Sequence, residues 1–181
     1  MKSIKIQIIL LFVLVFGAGM IVKAQEKKEA MPNDQAWLQK FVGKWSGINT
    51  YTNDKKQSVK FMSHMDFTAV ADGNGVYGVE YADDPNLGKM RGSDLIGYDP
   101  YEKKIHCFTV DNSGICHDHI CVWKSPDHFY LEHNSTRDGK AFKEMADLTL
   151  KDQNTFDFSI TSSLDGKITE TSSGTYKKAP K

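Results

Sequence analysis

Phe41-Val42-Gly43-Lys44-Trp45-Ser46-Gly47-Ile48-Asn49-Thr50-Tyr51 is the stretch that decides the fold. Before Gly43 the apolar period is helical. Trp37, Leu38, Phe41 and Val42 share one face, Asn33 suits a helix cap, Asp34 its first turn and Gly43 its end. After Gly43 the period becomes two. Trp45, Gly47, Asn49 and Tyr51 alternate with Lys44, Ser46, Ile48 and Thr50. The sequence thus predicts a short helix over 33–42 that runs straight into a strand with an inward Trp45.

Working outward, the same strand pattern recurs at nearly even spacing. Strands are predicted at 59–70, 76–81, a run including 95–98, 105–110, 115–123, 129–133, 142–150, 156–162 and 168–176. Turn residues separate them: Asn53-Asp54, Asp72-Gly73-Asn74-Gly75, Asp99-Pro100, Asp111-Asn112-Ser113-Gly114, Ser125-Pro126-Asp127, Asp138-Gly139, Asp152-Gln153-Asn154 and Asp165-Gly166. No second long helical pattern and no alternation of strand with helix occurs. About ten strands in series predict an all-β meander. Closing it removes two exposed edges. The expectation is therefore an antiparallel up-and-down barrel with the 33–42 helix as a lid, and a two-sheet sandwich is the alternative.

The first 24 residues read differently. Lys2 and Lys5 precede an apolar core over 8–16, and Val22-Lys23-Ala24 has the small residues of a cleavage site before Gln25. The expected organisation is a signal peptide over 1–24, a polar lead over 25–32 and one barrel domain over 33–178. This places the protein in the periplasm or outside the cell, without stable membrane insertion. The 181-residue chain has 23 basic and 23 acidic residues, and removing Lys2, Lys5 and Lys23 leaves 20 basic ones. A mildly acidic domain without a basic face is a poor nucleic-acid binder.

The chemistry-bearing residues cluster late. If Val110 pairs with Ile115, His106 faces His119, with His117 on the same side. If Trp123 pairs with Phe129, His119 also faces His133. His106, His119 and His133 then form a row on three neighbouring strands. Imidazoles so placed suit a transition metal or a haem iron. A two-residue turn at Pro126-Asp127 instead flips His133 to the other face, and an outward row is ordinary surface. In this register Cys107 lies diagonal to Cys116, which makes Cys107–Cys116 the candidate disulfide, while Cys116 and Cys121 fall on opposite faces. Asp66, Glu80 and Asp94 are material for acid–base work where they converge. No serine has a nucleophile-elbow context.

Gly43-Lys44-Trp45-Ser46-Gly47 resembles the opening of calycin-type barrels. Lipocalins and nitrobindin-like proteins begin with such a Gly-x-Trp motif after a short helix. Leu95-Ile96-Gly97-Tyr98-Asp99-Pro100, followed by the hairpin at Asp111-Asn112-Ser113-Gly114, resembles a family of small secreted bacterial proteins with a lipocalin-like barrel. Over residues 37–176 the resemblance implies a barrel with an interior cavity and no established activity. Two departures stand out. Lipocalins pack an Arg of the last strand on the Trp, where this chain has Lys177 and Lys178. Nitrobindin-like proteins ligate haem through a late His, and no His follows His133.

The leading expectation is a barrel that binds a small hydrophobic molecule. Its liners are Trp45, Phe61, Phe67, Tyr81, Phe108, Trp123 and Phe129, with His106, His117 and His119 as polar anchors. Trp45 also fits a structural role, sealing one end. The alternatives are haem or metal binding through the histidine row, and a calycin-type enzyme acting on a bound lipid.

Overall fold

The computed structural model describes residues 33–85 and 87–180. The expected signal peptide and polar lead lie outside these residues, as do the side chains of Asn33 and Asp34. Helix α1 (Asn33–Leu38) continues as a 3-10 turn (Gln39–Phe41), and ten strands follow: β1 (Gly43–Thr52), β2 (Ser58–Val70), β3 (Gly75–Asp84), β4 (Gly88–Asp99), β5 (Lys104–Asp111), β6 (Cys116–Ser125), β7 (His128–Arg137), β8 (Lys140–Asp152), β9 (Thr155–Leu164) and β10 (Lys167–Lys178). Each strand pairs antiparallel with its sequence neighbours, and β10 pairs with β1. The meander closes into a barrel, so the sandwich alternative is set aside. No helix among the described residues is long and apolar enough to cross a membrane.

Closure at the β1–β10 seam depends on glycine. A Cβ on Gly47 would sit 2.2 Å from the Thr175 carbonyl oxygen, and one on Gly174 2.6 Å from that of Ile48. Only hydrogen at both positions lets the two backbones pair at normal spacing. The β7–β8 and β9–β10 hairpins turn on Asp138-Gly139 and Asp165-Gly166, with all four residues at positive φ. Two-residue turns of this kind match the strand twist.

The lid packs against one end of the barrel. Leu38 and Phe41 are fully buried there beside Trp45, Trp123, Phe129, Phe156 and Tyr176. Phe41 stacks on Trp123 at 5.6 Å and meets Phe156 edge-on at 6.0 Å. Trp45 Nε1 donates to the Phe41 carbonyl at 2.6 Å, which ties lid to barrel. Lys178 places its ammonium 4.9 Å from the Trp45 ring centre.

β4 contains the expected 95–98 and extends back to Gly88, where its polar first half pairs with β3. Two expectations change. The register between β5 and β6 is one residue from that expected: Val110 pairs with Cys116, and His106 with Ile120. The cause is Asp111. Its carboxylate accepts the N–H groups of Ser113 and Ile115, so Ile115 belongs to the loop opposite Asp111. A slip of one residue reverses a strand's faces relative to its partner. Cys107 therefore points inward and Cys116 outward, which rules out their disulfide, and all three cysteines are free.

Candidate functional site

Inward alternation brings polar side chains to one level inside the barrel. Across β4, β5 and β6, Asp94, Thr109 and His117 are direct cross-strand partners. Across β7, β8 and β9, His133, Glu144 and Ser162 are likewise. Glu80 of β3 and His119 of β6 join them. The result is a polar girdle between the aromatic floor and the opposite mouth.

Glu144 is its hub. Its Oε1 lies 3.1 Å from His117 Nδ1 and 3.0 Å from His119 Nε2, while Ser162 Oγ donates to Oε2 at 3.0 Å. Arg137 donates to His117 Nε2 at 3.1 Å, so the His117 proton resides on Nδ1 and points at Glu144. His119 Nδ1 faces the Cys107 carbonyl at 3.3 Å. Both His119 nitrogens thus meet acceptor groups. Burial alone pushes the Glu144 carboxyl up, but its hydrogen bond to His119, the charges of His117 and His119 and the Ser162 bond hold it down to about 2. Burial lowers His117, with Glu144 opposing. His133 stacks on His117 at 4.3 Å and donates from Nδ1 to the Asp118 carbonyl.

A second acidic centre lies across the interior. Burial, the charge of Asp94 and a hydrogen bond to it raise the Glu80 carboxyl to about 8. Glu80 is thus a carboxylic acid at neutral pH and donates to Asp94. Asp94 also accepts from Thr109 Oγ1 at 2.6 Å and from Cys107 Sγ at 3.9 Å. Its own carboxyl is raised by burial, against the pull of Thr109 and His119. Burial also drives the Cys107 and Cys121 thiols up, so neither is a nucleophile.

The girdle separates two cavities. The inner one, about 110 Å³, is walled by Phe41, Met65, Phe67, Ile96, Phe129, Leu131, Leu148, Phe158 and Ile160, and ends at Glu80, Asp94, His119 and Glu144. The outer one, about 560 Å³, is lined mostly by polar residues, among them Asn49, Ser63, Arg91, Asp111, His117, Arg137 and Glu170. Glu80, Thr109, Glu144, Phe158 and Ile160 border both.

The expected liners divide accordingly. Phe67 and Phe129 line the inner cavity, Phe61 and His117 the outer one, and His119 the girdle end of the inner one. Trp45 and Trp123 belong to the sealed floor and border neither cavity. His106 and Phe108 stand on the outer wall, while Tyr81, 41% exposed, still borders the outer cavity. Tyr81 stacks on His64 at 4.8 Å, His106 pairs with Asp118 at 3.1 Å, and Phe108 is 48% exposed. For His106 and Phe108 the reason is the register set by Asp111. For the exposure of Tyr81 it is the inward choice of Glu80. His119 and His133 do face one another, with rings 5.6 Å apart, but their third member is His117 rather than His106. Of the three carboxylates, Glu80 and Asp94 converge, whereas Asp66 pairs outside with Lys44.

Glu144, Arg137, Thr109 and Ser162 were not singled out beforehand. For Glu144 a signal existed: β8 alternates Phe142, Glu144, Ala146 and Leu148, which puts one carboxylate among inward apolar positions.

A closed ten-strand barrel with a helical lid and an internal charged girdle belongs to the lipocalin-like class of folds. Solved structures bear this out. The crystal structure of Rv2717c from M. tuberculosis superposes with a TM-score of 0.61 at 11% identity, covering 79% of this chain and 95% of that one. The S-type phycobiliprotein lyase CPES from Guillardia theta gives 0.56 at 16% identity, covering 81% and 93%. At such identities the likeness is one of fold. No family model and no curated protein matches the chain.

Proposed function

We propose that this protein is an exported binding barrel that takes up a small, largely apolar molecule with one polar end. The supporting observation is the apolar inner cavity that ends at a charged girdle, with the outer cavity bordered by some of the same girdle residues. Pockets of this kind bind through apolar walls and orient through a few polar groups. The apolar part of the ligand fits among Phe67, Phe129, Leu131 and Leu148, and its polar end meets the Glu80 acid or the His119–Glu144 pair.

Titration with an environment-sensitive apolar fluorophore tests this. The wild type is expected to bind it, and Ala146→Leu, which fills the inner cavity from a buried position, to weaken it at least about tenfold, a value of some 1.4 kcal/mol. Equal binding by both proteins, with no adduct in native mass spectra of protein from its own source, overturns the proposal. Export is supported by Lys2, Lys5 and the apolar run over 8–16. N-terminal sequencing should then find Gln25 first, and an intact Met1 in a membrane fraction refutes export.

A further inference from the structure

We propose that His117, His119 and Glu144 form a binding site for a divalent first-row transition metal, with zinc as its representative. The inference goes beyond the apolar-ligand reading and does not rest on it. One ligand atom from each residue lies within 4.8 Å of the other two. Two of the three separations are 3.0 and 3.1 Å, both to Glu144 Oε1. A tetrahedral ion with bonds of about 2.0–2.1 Å needs separations of about 3.3 Å. His117 and His119 lie on β6 and Glu144 on β8, so the adjustment asked of the three side chains is a small rotation toward a common point across β7.

The donor set suits the ion. Two imidazoles and a carboxylate leave a fourth position for water or a ligand atom. Outer partners already orient the donors. The Cys107 carbonyl accepts from His119 Nδ1 and leaves Nε2 for the metal, and Ser162 holds the second oxygen of Glu144. The outer cavity reaches both His117 and Glu144 and supplies an entry path from solvent.

Arg137 is the element that opposes loading. It donates to His117 Nε2, which keeps the ring proton on Nδ1. Coordination at Nδ1 moves that proton to Nε2, where it faces another donor, so the guanidinium must swing away. The proton that His119 holds toward Glu144 leaves to solvent. Arg137 already lies over the Phe142 ring, at 3.5 Å from its centre, and can stay there as it breaks its bond to His117. Arg137 therefore acts as a competitor for His117 rather than as a ligand.

The test uses mature protein stripped with chelator and titrated with Zn²⁺ against a chromophoric chelator, and with Co²⁺ for its ligand-field bands. One equivalent of Zn²⁺ and the bands of a four-coordinate Co²⁺ ion are expected. Glu144→Gln should lose more affinity than the roughly 10–100-fold that removal of an outer partner costs. His106→Ala, on the outer wall, should leave uptake unchanged. Arg137→Gln should bind several-fold more tightly, and it touches no ligand atom, so it decides the matter even if Glu144→Gln fails to fold. No uptake by the wild type overturns the site, as does equal affinity in Glu144→Gln, loss of uptake in His106→Ala, or unchanged or weaker binding in Arg137→Gln. Binding of the apolar fluorophore by a protein that takes up no metal would sink this inference alone.

Discussion

Replacing Glu80 by Gln should flatten the pH dependence of stability on the alkaline side. Glu80 titrates near 4.5 when exposed and near 8 in the folded barrel. Between those values the native state holds a proton that the unfolded chain has released, so stability falls as pH rises. Below about pH 4.5 the contribution is fully present, and above about pH 8 it is lost. At about 1.4 kcal/mol per pH unit the interval is worth on the order of 5 kcal/mol. Glu80 borders the outer cavity, and solvent access from that side would offset part of the burial, so a fall of about 2–5 kcal/mol is the working range. Gln is isosteric, and its amide still donates to Asp94, but it does not titrate. Urea unfolding midpoints for both proteins at pH 5, 6, 7, 8 and 9 make the comparison. The wild type should lose stability steadily up to pH 8–9 while Glu80→Gln changes much less. Parallel curves would mean that Glu80 ionises normally and that the Glu80–Asp94 pair does not form.

Other outcomes follow from packing and register. Trp45→Ala removes a fully buried ring and its bond to the Phe41 carbonyl, and should lower stability by about 3–5 kcal/mol in chemical denaturation. Gly47→Ala puts a methyl group into the Thr175 carbonyl and should lower it by about 1–3 kcal/mol or more, as overpacking does. His106→Ala, whose partners are the exposed Asp118 and Glu102, should change stability by less than about 1 kcal/mol. A thiol reagent should label Cys116 in the native protein and reach the buried Cys107 and Cys121 only on unfolding, and mass spectrometry of the modified peptides reads the difference.

The architecture was legible in the chain because it rests on local chemistry. Gly43 stops a helical period, Trp45 starts a period of two, and Asp-Gly pairs turn the hairpins, so ten strands and a lid follow without long-range information. Inward faces were legible wherever large apolar residues alternate with polar ones, as at Trp45 in β1 and at Phe61 and Phe67 in β2. They were not legible in β5 and β6. There both faces carry apolar residues, with Ile105 and Cys107 against Phe108 and Val110, so hydrophobicity does not choose between them. The choice is made by a single side chain, Asp111, which draws Ile115 into the loop and moves the pairing by one residue. That move puts His106 and Phe108 on the opposite face from His117 and His119, and it is the latter pair that the barrel buries. The girdle itself belongs to tertiary structure alone. Glu80 and Asp94 come from adjacent strands, and Glu144 meets His117 and His119 across the strand between them. The separation of such groups depends on how the barrel closes, which no local period records, because period two fixes the face of a residue but not its level along the axis.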